Sequence, residues 1–231
     1  MNLVFSQFKN AYRYNSDSLL LYDFVAKNKI KGCVLDLGCG CGIIGILLKH
    51  KFIDITLSLL DILEQNCELT SLNLKQNNIK AAVFCADLRN LKLRNHFDFI
   101  VCNPPFYRLG AYKSENKHKE ISKFQSSLSL DDFLAYSYKL LKAKGVLYFC
   151  YSSDCLQDIN TKLTQYKLRL SKICFVHKDV NSKARLVLIE AKKGSKAMCE
   201  VKAPFIMYED GKQSKLLTEL LATLRIKSND L

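Results

Sequence analysis

The chain has 231 residues, 48% of them hydrophobic and 25% charged, which excludes collagen-like, low-complexity and disordered chains and fits one domain spanning residues 1–231. Lys and Arg outnumber Asp and Glu by 35 to 22, for a formal charge of +13; that surplus favours an anionic partner such as nucleic acid, although a solvated basic surface accounts for it equally well. The cysteines include no Cys-x-x-Cys pair and residues 1–7 lack the basic start and apolar stretch of a secretion signal, so no metal is expected and a reducing cytoplasm is.

Residues 32–37 form an apolar run of buried-strand type that breaks at Gly38, and residues 43–50 then read as a helix. A second strand over 53–60 ends at Asp61. A helix over 64–75 follows, with Cys67, Leu69 and Leu72 inward, closed by Asn77-Asn78. Residues 81–85 give a third strand ending near Asp87, and residues 97–102 a fourth ending at Asn103-Pro104-Pro105. Then come a helix over 130–142, a strand over 145–151, and strands over 170–177 and 184–192 around a turn at Asn181-Ser182. An amphipathic helix over 212–224 carries Leu216, Leu217, Leu220, Leu221 and Leu224. No apolar run approaches the roughly 20 residues that span a membrane. Such alternation calls for right-handed crossovers and a mostly parallel sheet with helices on both faces, whose ligand lies beyond the strands' carboxyl ends. Asp36 to Gly42, Asp61, Asp87 and residues 103–106 all fall at such ends.

In Asp36-Leu37-Gly38-Cys39-Gly40-Cys41-Gly42, Gly38, Gly40 and Gly42 permit positive φ and close approach of backbone to a ligand. Glycines alone do not choose the ligand. Gly40 also opens a G-x-G-x-x-G, and Asp61 lies about where a dinucleotide-binding unit keeps its ribose acid, so a dinucleotide-dependent oxidoreductase is one reading. Asp36 opposes it, because an acid just before the turn repels a pyrophosphate. S-adenosylmethionine carries a sulfonium, an ammonium and a carboxylate but no phosphate, so Asp36 suits it, Asp61 can accept both ribose hydroxyls, and Asp87 sits where an adenine amino group is read. Taken singly, Asp61 and Asp87 also read as ordinary helix caps or turn residues.

In Asn103-Pro104-Pro105-Phe106 the two prolines fix φ and remove two backbone donors. The turn thereby presents the Asn103 side-chain oxygen and the Pro104 carbonyl as adjacent acceptors, with Phe106 as a stacking surface. A planar amino group satisfies both acceptors and turns its lone pair to a methyl donor. Alignment supplies most of the acceleration for such a transfer, and no metal or strong base is needed. Taken alone, Asn-Pro-Pro also reads as a plain strand-terminating turn.

With these motifs the chain resembles the class I S-adenosylmethionine-dependent amino-methyltransferases that carry an Asn/Asp-Pro-Pro-aromatic motif. Within them it is similar to the bacterial tRNA1(Val) adenine-N6 methyltransferases. The resemblance extends to Gln7, to Tyr12 through Leu21, to Asn73 and Asn77, and to the late strand near Arg185. It implies a Rossmann-like, seven-stranded, mostly parallel sheet with the last strand antiparallel, a cofactor-covering segment over residues 1–30 and a catalytic core over 31–231. Asp36 and Gly38 would carry the cofactor's amino-acid end, with Gly40 and Gly42 completing the turn, Asp61 the ribose and Asp87 the adenine. Asn103, beside the cofactor, would hold the target base together with Pro104, Pro105 and Phe106; Tyr107 would extend the stacking surface, and Arg108 opens a lysine-rich stretch over 108–123 placed to grip RNA phosphates. The partner implied is RNA, a tRNA first. Cys39 and Cys41 depart from the Ala and Ser common in this turn. A release-factor glutamine methyltransferase and a ribosomal-RNA guanine-N2 methyltransferase share the turn, but each calls for a further domain ahead of the first strand. Outside methyltransferases the alternatives are the oxidoreductase and a non-catalytic RNA-binding protein. Oligomeric state is left open, with a monomer as the working expectation.

Overall fold

The computed structural model describes residues 3–8, 14–104 and 128–231. In chain order these form β1 (Leu3–Gln7), α1 (Ser16–Ala26), β2 (Cys33–Leu37), α2 (Ile43–Lys51), β3 (Thr56–Asp61), α3 (Glu64–Gln76), β4 (Ala82–Cys85), β5 (Phe97–Cys102), α4 (Leu130–Leu140), β6 (Leu141–Ser152), α5 (Leu156–Gln165), β7 (Leu168–His177) and β8 (Ala184–Lys193). Four two-residue strands follow, β9 (Glu200–Val201), β10 (Phe205–Ile206), β11 (Tyr208–Glu209) and β12 (Lys212–Gln213), and then α6 (Lys215–Leu224) and β13 (Ile226–Asp230).

The main sheet runs β4-β3-β2-β5-β6-β8-β7, extended by β10 and β9 on β7. Pairings from β4 through β6 are parallel, and β8 is antiparallel to both neighbours. The seven strands read from the sequence are thus joined by two short ones, whose two residues carry too little periodicity to register as strands. Chain order reverses between β2 and β5, so β2 leads out one way and β5 the other, and a crevice opens at their carboxyl ends.

Alternation along the strands sorts the core into two layers. Val34, Leu59, Val101, Tyr148 and Cys150 face one layer with Leu20 and Phe24 of α1, Ile46 of α2 and Leu69 of α3. Leu35, Leu60, Ile100, Leu147 and Phe149 face the other, with Phe133 and Leu134 of α4 and Ile159 and Leu163 of α5.

The described residues between 1 and 30 include a strand and a helix. Helix α1 is buried along most of its length, so it lacks a clear apolar stripe, and Asn15 caps it by accepting from the Asp17 and Ser18 amides. It packs on α2, β6 and β8. Strand β1 pairs in parallel with β13. On its other side, Asn77 Oδ1 accepts from Val4 N at 2.8 Å and Asn73 Oδ1 from Ser6 N at 2.8 Å, so two asparagines one helical turn apart act as a strand edge. Among the described residues no helix is long and apolar enough to cross a membrane.

Candidate active site

The turn after β2 folds back on β3 through its own amides. Gly38 N and Cys39 N both donate to Leu60 O at 2.8 and 3.0 Å, Gly42 N donates to Cys39 O at 2.8 Å, and Gly40 N donates to Asp61 Oδ2 at 2.9 Å. Four N–H groups that would line a phosphate cradle are therefore already paired. Gly42 has φ 80°, and a Cβ there would meet Ile46 and Thr70 at 3.1 Å, so a side chain at this position would be strained and tightly packed. At Gly38 and Gly40, also at positive φ, no described residue lies within 4 Å of where a Cβ would stand. Among the described residues the turn leaves bare backbone open there.

Two carboxylates flank it. Asp36, 1% exposed, accepts from Gly45 N at 2.7 Å and so fastens β2 to the first turn of α2. Burial pushes its carboxyl up to about 7, with the Asp61 charge adding to the rise and the Gly45 bond opposing it. Asp61, 7% exposed, accepts from Gly40 N, Leu63 N and Asn66 Nδ2, and burial raises its pKa too.

A pH dependence follows. The native state binds the Asp36 proton more tightly than the unfolded chain, whose aspartate titrates near 4. Stability from this group is therefore full below about pH 4 and is lost as the pH rises towards 7, by an amount on the order of 4 kcal/mol. Asp61 works in the same direction. Asp87, Asp98 and Asp131, held below the ordinary carboxylate range, act only at lower pH. Thermal melts without cofactor should show the midpoint falling between pH 5 and pH 7, and Asp36→Asn should flatten that slope; an unchanged slope in the variant would contradict the assignment.

Asp87 stands at the end of β4 but is engaged sideways: it caps a short 3-10 turn by accepting from Arg89 N at 2.8 Å and pairs with the Arg89 guanidinium, which lowers its pKa. Each of its two oxygens accepts two bonds from Arg89.

Asn103 follows β5 directly, and its carboxamide is held from both sides. Nδ2 donates to Ser18 Oγ at 2.9 Å, and Oδ1 accepts from Cys150 Sγ at 3.0 Å. Composition and spacing did not single out Ser18 or Cys150, which come from α1 and β6. Arg185, at the start of β8, pairs with Asp17 at 2.5 Å and steadies the first turn of α1 beside Ser18. Pro104 is described. Pro105, Phe106, Tyr107 and Arg108, with the lysine-rich stretch after them, lie outside the described residues. Asp36, Gly38, Gly40, Gly42, Asp61, Asp87 and Asn103 stand at the carboxyl ends of the four adjacent strands β4, β3, β2 and β5.

That arrangement is a class I methyltransferase fold: a structure named as a predicted O-methyltransferase from Agrobacterium tumefaciens superposes with a TM-score of 0.70, covering 93% of this chain and 100% of the other at 20% identity. Residues 4–154 match the model of the methyltransferase small domain, and the chain belongs to that family. Among curated relatives, the ribosomal RNA small subunit methyltransferase C of Actinobacillus pleuropneumoniae is 38% identical over 100 residues, 43% of this chain and 30% of that one. The tRNA1(Val) (adenine(37)-N6)-methyltransferase of Flavobacterium psychrophilum is 27% identical over 145 residues, 61% of this chain and 62% of that one. The chain thus spans less than a third of the first enzyme and under two thirds of the second.

Proposed function

We propose that this chain transfers a methyl group from S-adenosylmethionine to the exocyclic amine of a nucleobase in RNA, with N6 of adenosine 37 in a valine tRNA as its first target. The observation that carries the cofactor reading is the pairing of the turn's own amides: Gly38, Cys39, Gly40 and Gly42 have no N–H left for a pyrophosphate, while Asp61 offers a carboxylate at the end of β3. A dinucleotide's pyrophosphate finds no free N–H on these four residues. S-adenosylmethionine, when bound, supplies an electrophilic methyl group on its sulfonium.

In this reading Gly38 and Gly40 receive the amino-acid end against backbone, Asp61 accepts from the ribose hydroxyls, and Asp87 faces the adenine. Asp36 supports the turn from below through its bond to Gly45 N. Asn103 Oδ1 and the Pro104 carbonyl accept the two N–H bonds of the target amine and orient its lone pair, and Phe106 and Tyr107 stack on the base. A location in the cytoplasm goes with this reading.

The relatives favour tRNA by coverage and small-subunit ribosomal RNA by local identity, so a base amine of ribosomal RNA is the second reading. Incubating the protein with S-adenosylmethionine and unmodified total RNA, then analysing nucleosides of each fraction, separates them; a parallel incubation uses a purified release factor. N6-methyladenosine in valine tRNA is the expected product. N2-methylguanosine confined to ribosomal RNA would favour the second reading, and methylation of a release-factor glutamine alone would remove RNA as the substrate.

A further inference from the structure

Asn103 is reached by two polar side chains from elements distant in sequence, and the chemistry of the two is unequal. Ser18 Oγ lies 2.9 Å from Nδ2 and Cys150 Sγ 3.0 Å from Oδ1; Ser18 is 4% exposed and Cys150 fully buried. A hydroxyl oxygen is a good acceptor, whereas a thiol sulfur is a poor one and serves here as a donor. Hydroxyl on one side and thiol on the other therefore select one of the two orientations of the carboxamide: the amino end to Ser18, the oxygen to Cys150.

We propose that Ser18 and Cys150 are positioning residues that fix which end of the Asn103 carboxamide meets the target amine; this rests on the reading of Asn103 given above. A carboxamide oxygen has two acceptor positions. The thiol takes one and leaves the other for a substrate N–H. Reversed, the carboxamide presents its own N–H groups to the target amine, donor against donor, and the amine's lone pair loses its aim. Burial and the nearby Asp17 charge hold the Cys150 thiol well above its ordinary range, so it stays protonated and donates throughout neutral pH. The Asp17–Arg185 pair and the Asn15 cap hold the first turn of α1, and with it Ser18, in place.

The test uses the full chain and three readouts: methyl transfer to RNA, calorimetric binding of S-adenosylhomocysteine, and the side-chain amide signals of Asn103 in protein labelled with ¹⁵N-asparagine, assigned by their loss in Asn103→Asp. Ser18→Ala and Cys150→Ala should lower kcat by about 100-fold at unchanged KM for the cofactor. Ser18→Thr should recover most of the loss. The exchange variant, Ser18→Cys with Cys150→Ser, keeps both polar groups and nearly the same volume, and should be as impaired as the worse single variant. In each impaired variant the Asn103 amide signals should shift and exchange faster with solvent. The proposal is overturned if the exchange variant transfers at the wild-type rate, or if the amide signals are indifferent to Ser18→Ala. Should the wild-type protein transfer no methyl group at all, the reading of Asn103 fails, and the amide signals still decide the clamp.

Discussion

Asn103→Ala is expected to lower kcat by about 10²- to 10³-fold while S-adenosylhomocysteine binds with an affinity close to wild type. Asn103 follows the last residue of β5, where the sheet's bonding ends, and its side chain bonds to Ser18 of α1 and Cys150 of β6. On the proposed function, the acceptor it supplies is needed most when the amine nitrogen begins to bond to the methyl carbon and its N–H groups become more acidic. Loss of that acceptor raises the barrier without disturbing the ground state of the cofactor. Some stability is lost as well, because Ser18 Oγ and Cys150 Sγ are left buried without their partner, at a cost of about 1–3 kcal/mol. Steady-state transfer assays well below the melting temperature separate the two effects. A variant that binds the cofactor and still transfers at the wild-type rate would remove Asn103 from the chemistry.

Asp61→Ala should produce the opposite pattern. With the carboxylate gone, two ribose hydroxyls lose a charged acceptor, worth about 1.5–3 kcal/mol each, and Gly40 N, Leu63 N and Asn66 Nδ2 lose the group that holds them. Affinity for S-adenosylhomocysteine should fall by about 10²- to 10⁴-fold, whereas kcat at saturating S-adenosylmethionine should change far less. Asp61→Asn keeps one oxygen and should lie between the two. Equal affinity in the wild type and Asp61→Ala would show that the acid at the end of β3 only caps α3.

The strands of the parallel core were readable because each is a short apolar run closed by Gly, Asp or Asn-Pro, and each of those closing residues is at the crevice. Boundaries moved where apolar runs abut without punctuation: β6 begins at Leu141, directly after α4, since no Gly or Pro separates them. Helix α1 stayed hidden because three consecutive leucines and a mostly buried surface blur the 3.6-residue period. Helix α5 was missed because only Ile159 and Leu163 mark its inner face. Strands β1 and β13, at opposite ends of the chain, pair only through the fold.

At the site, the residue types at strand ends could be read directly, but their partners could not. Asp36 looked like a ligand-facing acid and lies buried against Gly45 N. Spacing says nothing about where a side chain's second hydrogen bond goes, and the Ser18–Asn103–Cys150 contact joins three elements that meet only in the folded sheet. A serine at the start of a Leu-rich helix and a cysteine inside an apolar strand gave no signal of their own.

The most direct test of the central claim is calorimetric titration of the purified chain with S-adenosylhomocysteine and, separately, with NAD⁺. Saturable binding of the first and no heat from the second is the predicted result. Binding of NAD⁺ in preference to S-adenosylhomocysteine would contradict it, because it would require the amides of Gly38, Cys39 and Gly40 to leave Leu60 and Asp61 for a pyrophosphate.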